Sequence, residues 1–244
     1  MFNIEALFHP PKDTGLLNAG QALQSLEGVA GFLAAQHPDF NEWLLQGDSL
    51  EDASRFSAFS AGMNGRDAAL AIINQRFKSA PVIGLWNGME ESSKGATMTL
   101  SVSTGPYASE MTLHFGELAN ECRLGNYRQV AATLALLAHT YKPVCAYVYE
   151  PTTYKLVYDD RVGVGWMIYL PVKLSVKDVP EARAAIPVAL DGGAEGTILV
   201  SVIDAVFNEK NRAHTDIAHA IETRLVDLEL LPTFVQLLRP ATAD

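Results

Sequence analysis

The stretch ATMTLSVSTGPYASEMTLHF, residues 96–115, decides the fold. Thr97, Thr99, Ser101 and Ser103 alternate with Met98, Leu100 and Val102. A period of two puts the two sets on opposite faces of a strand, one of them buried. Thr104-Gly105-Pro106-Tyr107 is turn chemistry. EMTLHF (110–115) then reads as a second strand, so the stretch predicts an antiparallel hairpin.

Working outward, FNIEALF (2–8) reads as a strand closed by Pro10-Pro11, and VIGLWN (82–87) as another. VCAYVYE (144–150), VGWMIYLP (164–171) and GTILVSVID (196–204) follow in the second half, the last after a Gly192-Gly193 turn. Residues 16–36 carry Leu16, Leu23, Leu26, Ala30 and Leu33 at threes and fours, which predicts a helix ended by His37-Pro38. GRDAALAIINQRF (65–77) and YRQVAATLALLAHTY (127–141) read as helices, and DVPEARAAI (178–186) as a short helix or turn. The last helix spans 211–231, with an apolar stripe of Ile217, Ile221, Leu225 and Leu228 stopped by Pro232. Strands come in runs and helices in blocks. That is the α+β pattern, an antiparallel sheet with helices packed on one side. A single domain over 1–244 is expected. Its halves, 1–120 and 121–244, share a loose helix-then-strands rhythm.

At 244 residues, with 48% hydrophobic and 19% charged residues, the chain can bury a sizeable core. The net charge of -10 argues against nucleic-acid binding, which needs a Lys/Arg-rich surface, and suits a basic protein partner. MFNIEALFHPPKD lacks the basic and apolar regions of a signal peptide, and no apolar run is long enough to cross a bilayer. A cytoplasmic protein is expected. Cys122 and Cys145 are isolated and fit neither a disulfide framework nor a zinc site; both read as small buried hydrophobes.

Chemical motifs fail on context. Gly163-Val164-Gly165 runs into a strand rather than a helix, so a dinucleotide turn is not expected. Gly47-Asp48-Ser49 lacks the second glycine and preceding strand of a nucleophile elbow; Ser49 reads as a helix cap toward Asp52. His214 and His219 lie five apart on a helix and do not share a face. No cofactor or metal is expected, and no catalytic residue. One enzymatic alternative stays open around Arg161, Asp216 and His219, beside a non-catalytic adaptor role in a secretion system.

Recognition residues are sought on exposed loops. Asp159, Asp160 and Arg161, with Tyr154 and Tyr158 before them, are the first candidates for partner binding. An acid pair can meet basic groups, and tyrosines bury much area with a polar handle. Asp48, Glu51 and Asp52 are the second set. Trp166, between apolar neighbours, reads as core.

VGWMIYLPV (164–172), VPEARAAIPV (179–188), GTILVSVIDAVFN (196–208) and NRAHTDIAHAIETRLVDLELLP (211–232) resemble, in that order, motifs of the bacterial immunity protein 52 family. LWNG (85–88) and TMTLSVSTG (97–105) resemble its weaker early landmarks, while residues 38–64 match nothing in it. The resemblance implies a cytosolic antitoxin. It would bind and neutralise a cognate nuclease toxin domain of restriction-endonuclease-like type, delivered by a type VI secretion system or as a polymorphic toxin. Such a protein inhibits by binding, so it needs no catalytic constellation of its own.

Overall fold

A computed structural model describes residues 2–10, 16, 18–78, 81–116, 123–150, 152–193 and 195–238. In chain order the elements are β1 (Phe2–Phe8), α1 (Ala19–Ala34), β2 (Leu44–Leu45), α2 (Leu50–Ala53), α3 (Arg66–Phe77), β3 (Val82–Trp86), β4 (Ala96–Ser101), β5 (Ser109–Phe115), α4 (Tyr127–Tyr141), β6 (Cys145–Tyr149), β7 (Met167–Leu170), β8 (Ala184–Ala189), β9 (Glu195–Val200), α5 (Arg212–Asp227) and α6 (Phe234–Leu237). The strands form one nine-stranded antiparallel sheet in the order β2-β3-β4-β5-β1-β6-β7-β9-β8. The α+β antiparallel expectation holds, and β4 and β5 pair as the opening hairpin, Thr99 opposite Thr112.

The larger core lies on one face. Met98, Leu100, Met111, Leu113, Ile4 and Ala6 point into it from the strands, and α1 and α4 close it with Leu23, Leu26, Leu33, Leu134 and Leu137. Asn18 caps α1 by accepting from the amides of Gly20 and Gln21. Asn126 and Gln129 form a capping box on α4, which ends at Lys142 in a left-handed conformation ahead of Pro143.

The last helix differs from the one-sided expectation. Cys145, Tyr147, Ile168, Leu170 and Leu199 point away from the larger core and meet Ala218, Ile221 and Leu225 of α5. Thus α5 covers the second face of the sheet only at β6, β7 and β9, where every strand residue except Glu195 is buried. Its inward stripe is Ala218, Ile221, Glu222 and Leu225, while Leu228 of the predicted stripe is exposed.

Over β4, β5 and β1 no described helix covers that second face; at β3 the segment 46–53 lies over it, with the Gln46 side chain against Gly84 and the Trp86 indole bonded to Ala53 of α2. Cross-strand register sets its side chains in rows: Trp86, Thr97, His114 and Asn3; then Gly84, Thr99, Thr112 and Glu5; then Val82, Ser101, Glu110 and Leu7. The rows explain the Thr/Ser alternation of the opening stretch, since those side chains remain partly exposed. Residues 178–186, expected as a helix or turn, form turns over 178–182 and then enter edge strand β8 at Ala184. Its Pro187 suits an edge, because proline cannot donate to a ladder. Trp166 is buried as expected, its indole N–H donating to the Val202 carbonyl at 2.8 Å.

Candidate functional site

The segment 152–165, between β6 and β7, carries the first set of partner-binding candidates. It is held to α5 by the Glu222 carboxylate and by His219, whose ring meets the Lys155 carbonyl. Glu222 is 1% exposed and accepts from the Tyr154 hydroxyl at 2.6 Å, the Val164 amide at 2.9 Å and the Val157 amide at 3.1 Å. Buried polar groups that are fully hydrogen-bonded fix a conformation; the same groups unpaired would be costly. Burial, then the charge of Glu222 and the hydrogen bond to it, hold the Tyr154 phenol well above the usual tyrosine range. Tyr154 also stacks at 5.0 Å on Tyr149, which stacks at 4.7 Å on Tyr147.

Tyr154 is therefore a correction. It is buried, and its hydroxyl is spent on Glu222, so it supports the segment rather than meeting a partner. Gly163 and Gly165 act in the same support. Gly165 has φ +56°, and a Cβ there would strike Tyr149 and the Val148 carbonyl. Gly-x-Gly here serves close backbone packing against β6.

Arg161 also turns inward. Its guanidinium donates to the Leu231 carbonyl at 2.7 Å and lies 3.7 Å from the Asp160 carboxylate. The Phe234 amide donates to the Asp160 carbonyl at 2.8 Å, and Arg161 bridges Thr233. These bonds place α6 beside the acidic loop. Asp159 is exposed, the Asp160 side chain is 70% exposed, and Tyr158 is half-buried. Phe234, Val235 and Leu238, at 42%, 66% and 39% exposed, stand next to them, with Val157 on the loop itself. An exposed apolar group rimmed by acids has the anatomy of a protein interface. The sequence reading found the acids but missed α6 and Glu222.

Asp48, Glu51 and Asp52 are all exposed and lie at the other end of the sheet. Ser49 caps α2 as expected, accepting from the Asp52 amide at 3.2 Å. Asp52 pairs with Arg55 at 3.6 Å. Asp48 lines a shallow pocket of about 430 Å³ with Gln46, Ser49, Leu50 and Trp86. The Trp86 indole N–H donates to the Ala53 carbonyl at 2.8 Å and fixes this segment on β3. Thus the two candidate sets occupy separate surfaces.

Arg161, Asp216 and His219 are engaged elsewhere: Arg161 as above, Asp216 with Arg212 at 3.7 Å, and His219 with the Lys155 carbonyl at 2.8 Å. Among the described residues no hydrogen bond or ion pair joins the three. The described residues also hold no group of three or more His, Cys, Asp or Glu able to bind a metal. Cys145 is free and buried, and burial, helped by the charge of Glu5, pushes its thiol up to about 12. Cys122 lies outside the described residues. No described helix is long and apolar enough to cross a membrane.

No protein-family model matches the chain, and no curated protein sequence matches it. Among solved structures the chain is similar to the Pseudomonas aeruginosa T6SS protein PA0821, with a TM-score of 0.56 and 9% identity over 92% of this chain and 72% of that one. At that identity the likeness is one of fold: this α+β architecture, with its antiparallel sheet, is shared with a T6SS protein.

Proposed function

We propose that this chain is an immunity protein, a non-catalytic cytoplasmic antitoxin that binds and neutralises a secreted nuclease effector of a type VI secretion system. The loop at Asp159 and Asp160, set beside exposed Phe234, Val235 and Leu238 and anchored through Glu222, carries this reading. It offers apolar anchors with an acidic rim on a support that is already ordered, which lowers the cost of ordering on binding. A nuclease site is basic because it attracts phosphate, so an acidic partner can occupy it. The net charge of -10 favours the encounter. The fold shared with a T6SS protein and the resemblance of the C-terminal motifs to immunity protein 52 point the same way.

The test is calorimetric titration against purified nuclease domains of type VI effectors from the same genome, with DNA cleavage followed in parallel. Nanomolar binding that abolishes cleavage is expected. In the Asp159→Ala/Asp160→Ala/Val235→Asp variant, affinity is expected to fall at least about a hundredfold while the melting temperature holds, since central anchors commonly contribute 2 kcal/mol or more. Unhindered cleavage at excess of this protein would sink the reading.

A further inference from the structure

The open face of the sheet carries a carboxylate pair separate from the acidic loop and α6. Glu5 and Glu110 stand on neighbouring strands there, in adjacent rows. The described rows of this face hold no lysine or arginine, and among the described residues neither glutamate joins an ion pair. Each carboxylate is held in place by short neutral donors. Glu5 accepts from the Tyr147 hydroxyl at 2.6 Å, and Glu110 from the Thr112 hydroxyl at 2.5 Å. Such bonds orient the oxygens without neutralising them.

The relief around the pair is low. Thr99 and Thr112 form a floor of small side chains between Gln46 and Trp86, which cover β3, on one flank and the Tyr147–Tyr149 stack on the other. From β4 to β6 the floor spans three strand spacings, about 14 Å, enough for a short extended segment to lie on it.

We propose that this open face is a second docking surface, which takes an extended basic segment of a partner protein with one lysine or arginine seated between Glu5 and Glu110. Charge complementarity selects the occupant. Two oriented carboxylates with no internal cation match a guanidinium or ammonium group, and the threonine hydroxyls on the floor can meet backbone polar groups of the segment. An apolar segment would strand those hydroxyls, and a nucleic acid would meet two negative charges. The proposal rests on the protein-binding reading above and adds a contact on a different surface.

Its test does not need the toxin. A synthetic Gly-Arg-Gly-Arg-Gly peptide is titrated into ¹⁵N-labelled protein at low salt. Amide shifts are expected on residues 3–7, 97–101 and 110–114. The Glu5→Gln/Glu110→Gln variant is expected to weaken the peptide about tenfold or more, as loss of charge-assisted bonds would. Because glutamine still accepts from Tyr147 and Thr112, this variant keeps the local bonds. A Thr112→Lys variant, with a cation placed on the floor, is expected to remove the shifts. Shifts confined to residues 157–161 or 48–52, no shifts at all, or unchanged affinity in both variants would overturn the proposal. A nuclease that cuts unhindered, alongside peptide shifts lost in both variants, would remove the toxin reading and leave the surface standing.

Discussion

Three donors converge on Glu222, which fixes Tyr154, Val157 and Val164 of the 152–165 segment against α5. Replacing Glu222 by alanine leaves the Tyr154 hydroxyl and the Val164 amide buried, and the Val157 amide part-buried, without that acceptor. At roughly 1 kcal/mol or more for each, Glu222→Ala is expected to destabilise the fold by about 3 kcal/mol. For a chain of this length that is a fall in melting temperature of roughly 6–12 °C by circular dichroism. Glu222→Gln keeps an acceptor and is expected to lose about half as much. Gly165→Ala is expected to cost at least about 2 kcal/mol in a urea titration, since it adds a left-handed non-glycine residue and a clash with β6. Neither role was legible in the sequence. A glutamate three residues before Leu225 reads as the polar side of an amphipathic helix, and only the tertiary arrival of Tyr154 makes it an acceptor. Tyr154 was misassigned for the same reason: aromatic density shows that area will be buried, not against what.

At the scale of elements, periodicity found the strands that have one wet face. β4 and β5 alternate cleanly because one side meets the larger core and the other is open. β8 has no such alternation. Its Ala-Ala-Ile-Pro-Val-Ala sequence follows Glu-Ala-Arg, which suits a helix, and it becomes a strand by pairing with β9. α6, at four residues, is too short for any periodic signal. Pro187 marks β8 as an edge, where a missing N–H removes one donor from the row offered to another chain. Pro187→Val is therefore expected to leave the monomer folded but to promote concentration-dependent association in light scattering. A purely monomeric variant up to millimolar concentration would show that the edge is guarded by other means.

At the scale of the whole molecule, the sheet is asymmetric: both faces are covered by helices at β6, β7 and β9, and one face is open at β4, β5 and β1. Glu5 sits at the boundary. Burial, and then repulsion from Glu110, raise its pKa above the usual carboxylate value of 4.5, against the opposing effect of the Tyr147 bond. The folded state thus holds this proton more tightly than the unfolded chain does. The stability contributed by the proton is fully present below pH 4.5 and is lost as pH rises through the raised folded value. Glu5→Gln removes that loss while keeping the bond to Tyr147. The variant is expected to melt higher than the parent at pH 7, with the gap closing toward pH 4, in scanning calorimetry. Equal melting temperatures at both pH values would show that Glu5 is not held against its charge. Net charge, the antiparallel class of the sheet and most of its strands were legible in the sequence; the order of strands in the sheet was not. Nor was the face that α5 would take, because nothing local distinguishes the two sides of β6, whose residues are apolar or aromatic throughout.

The bond between Glu222 and Val164 joins residues 58 positions apart. On a ribosome adding about 5–20 residues per second, the loop is made some 3–12 s before its anchor. During that interval β1 to β6 can already pair, and the larger core can begin to close, but the acidic loop has nothing to hold it. The surface made by the acidic loop and α6 is thus a late product of synthesis. A chain interrupted before α5 would carry the sheet's open face without the ordered loop, so the two surfaces come into being at different times on the same nascent polypeptide.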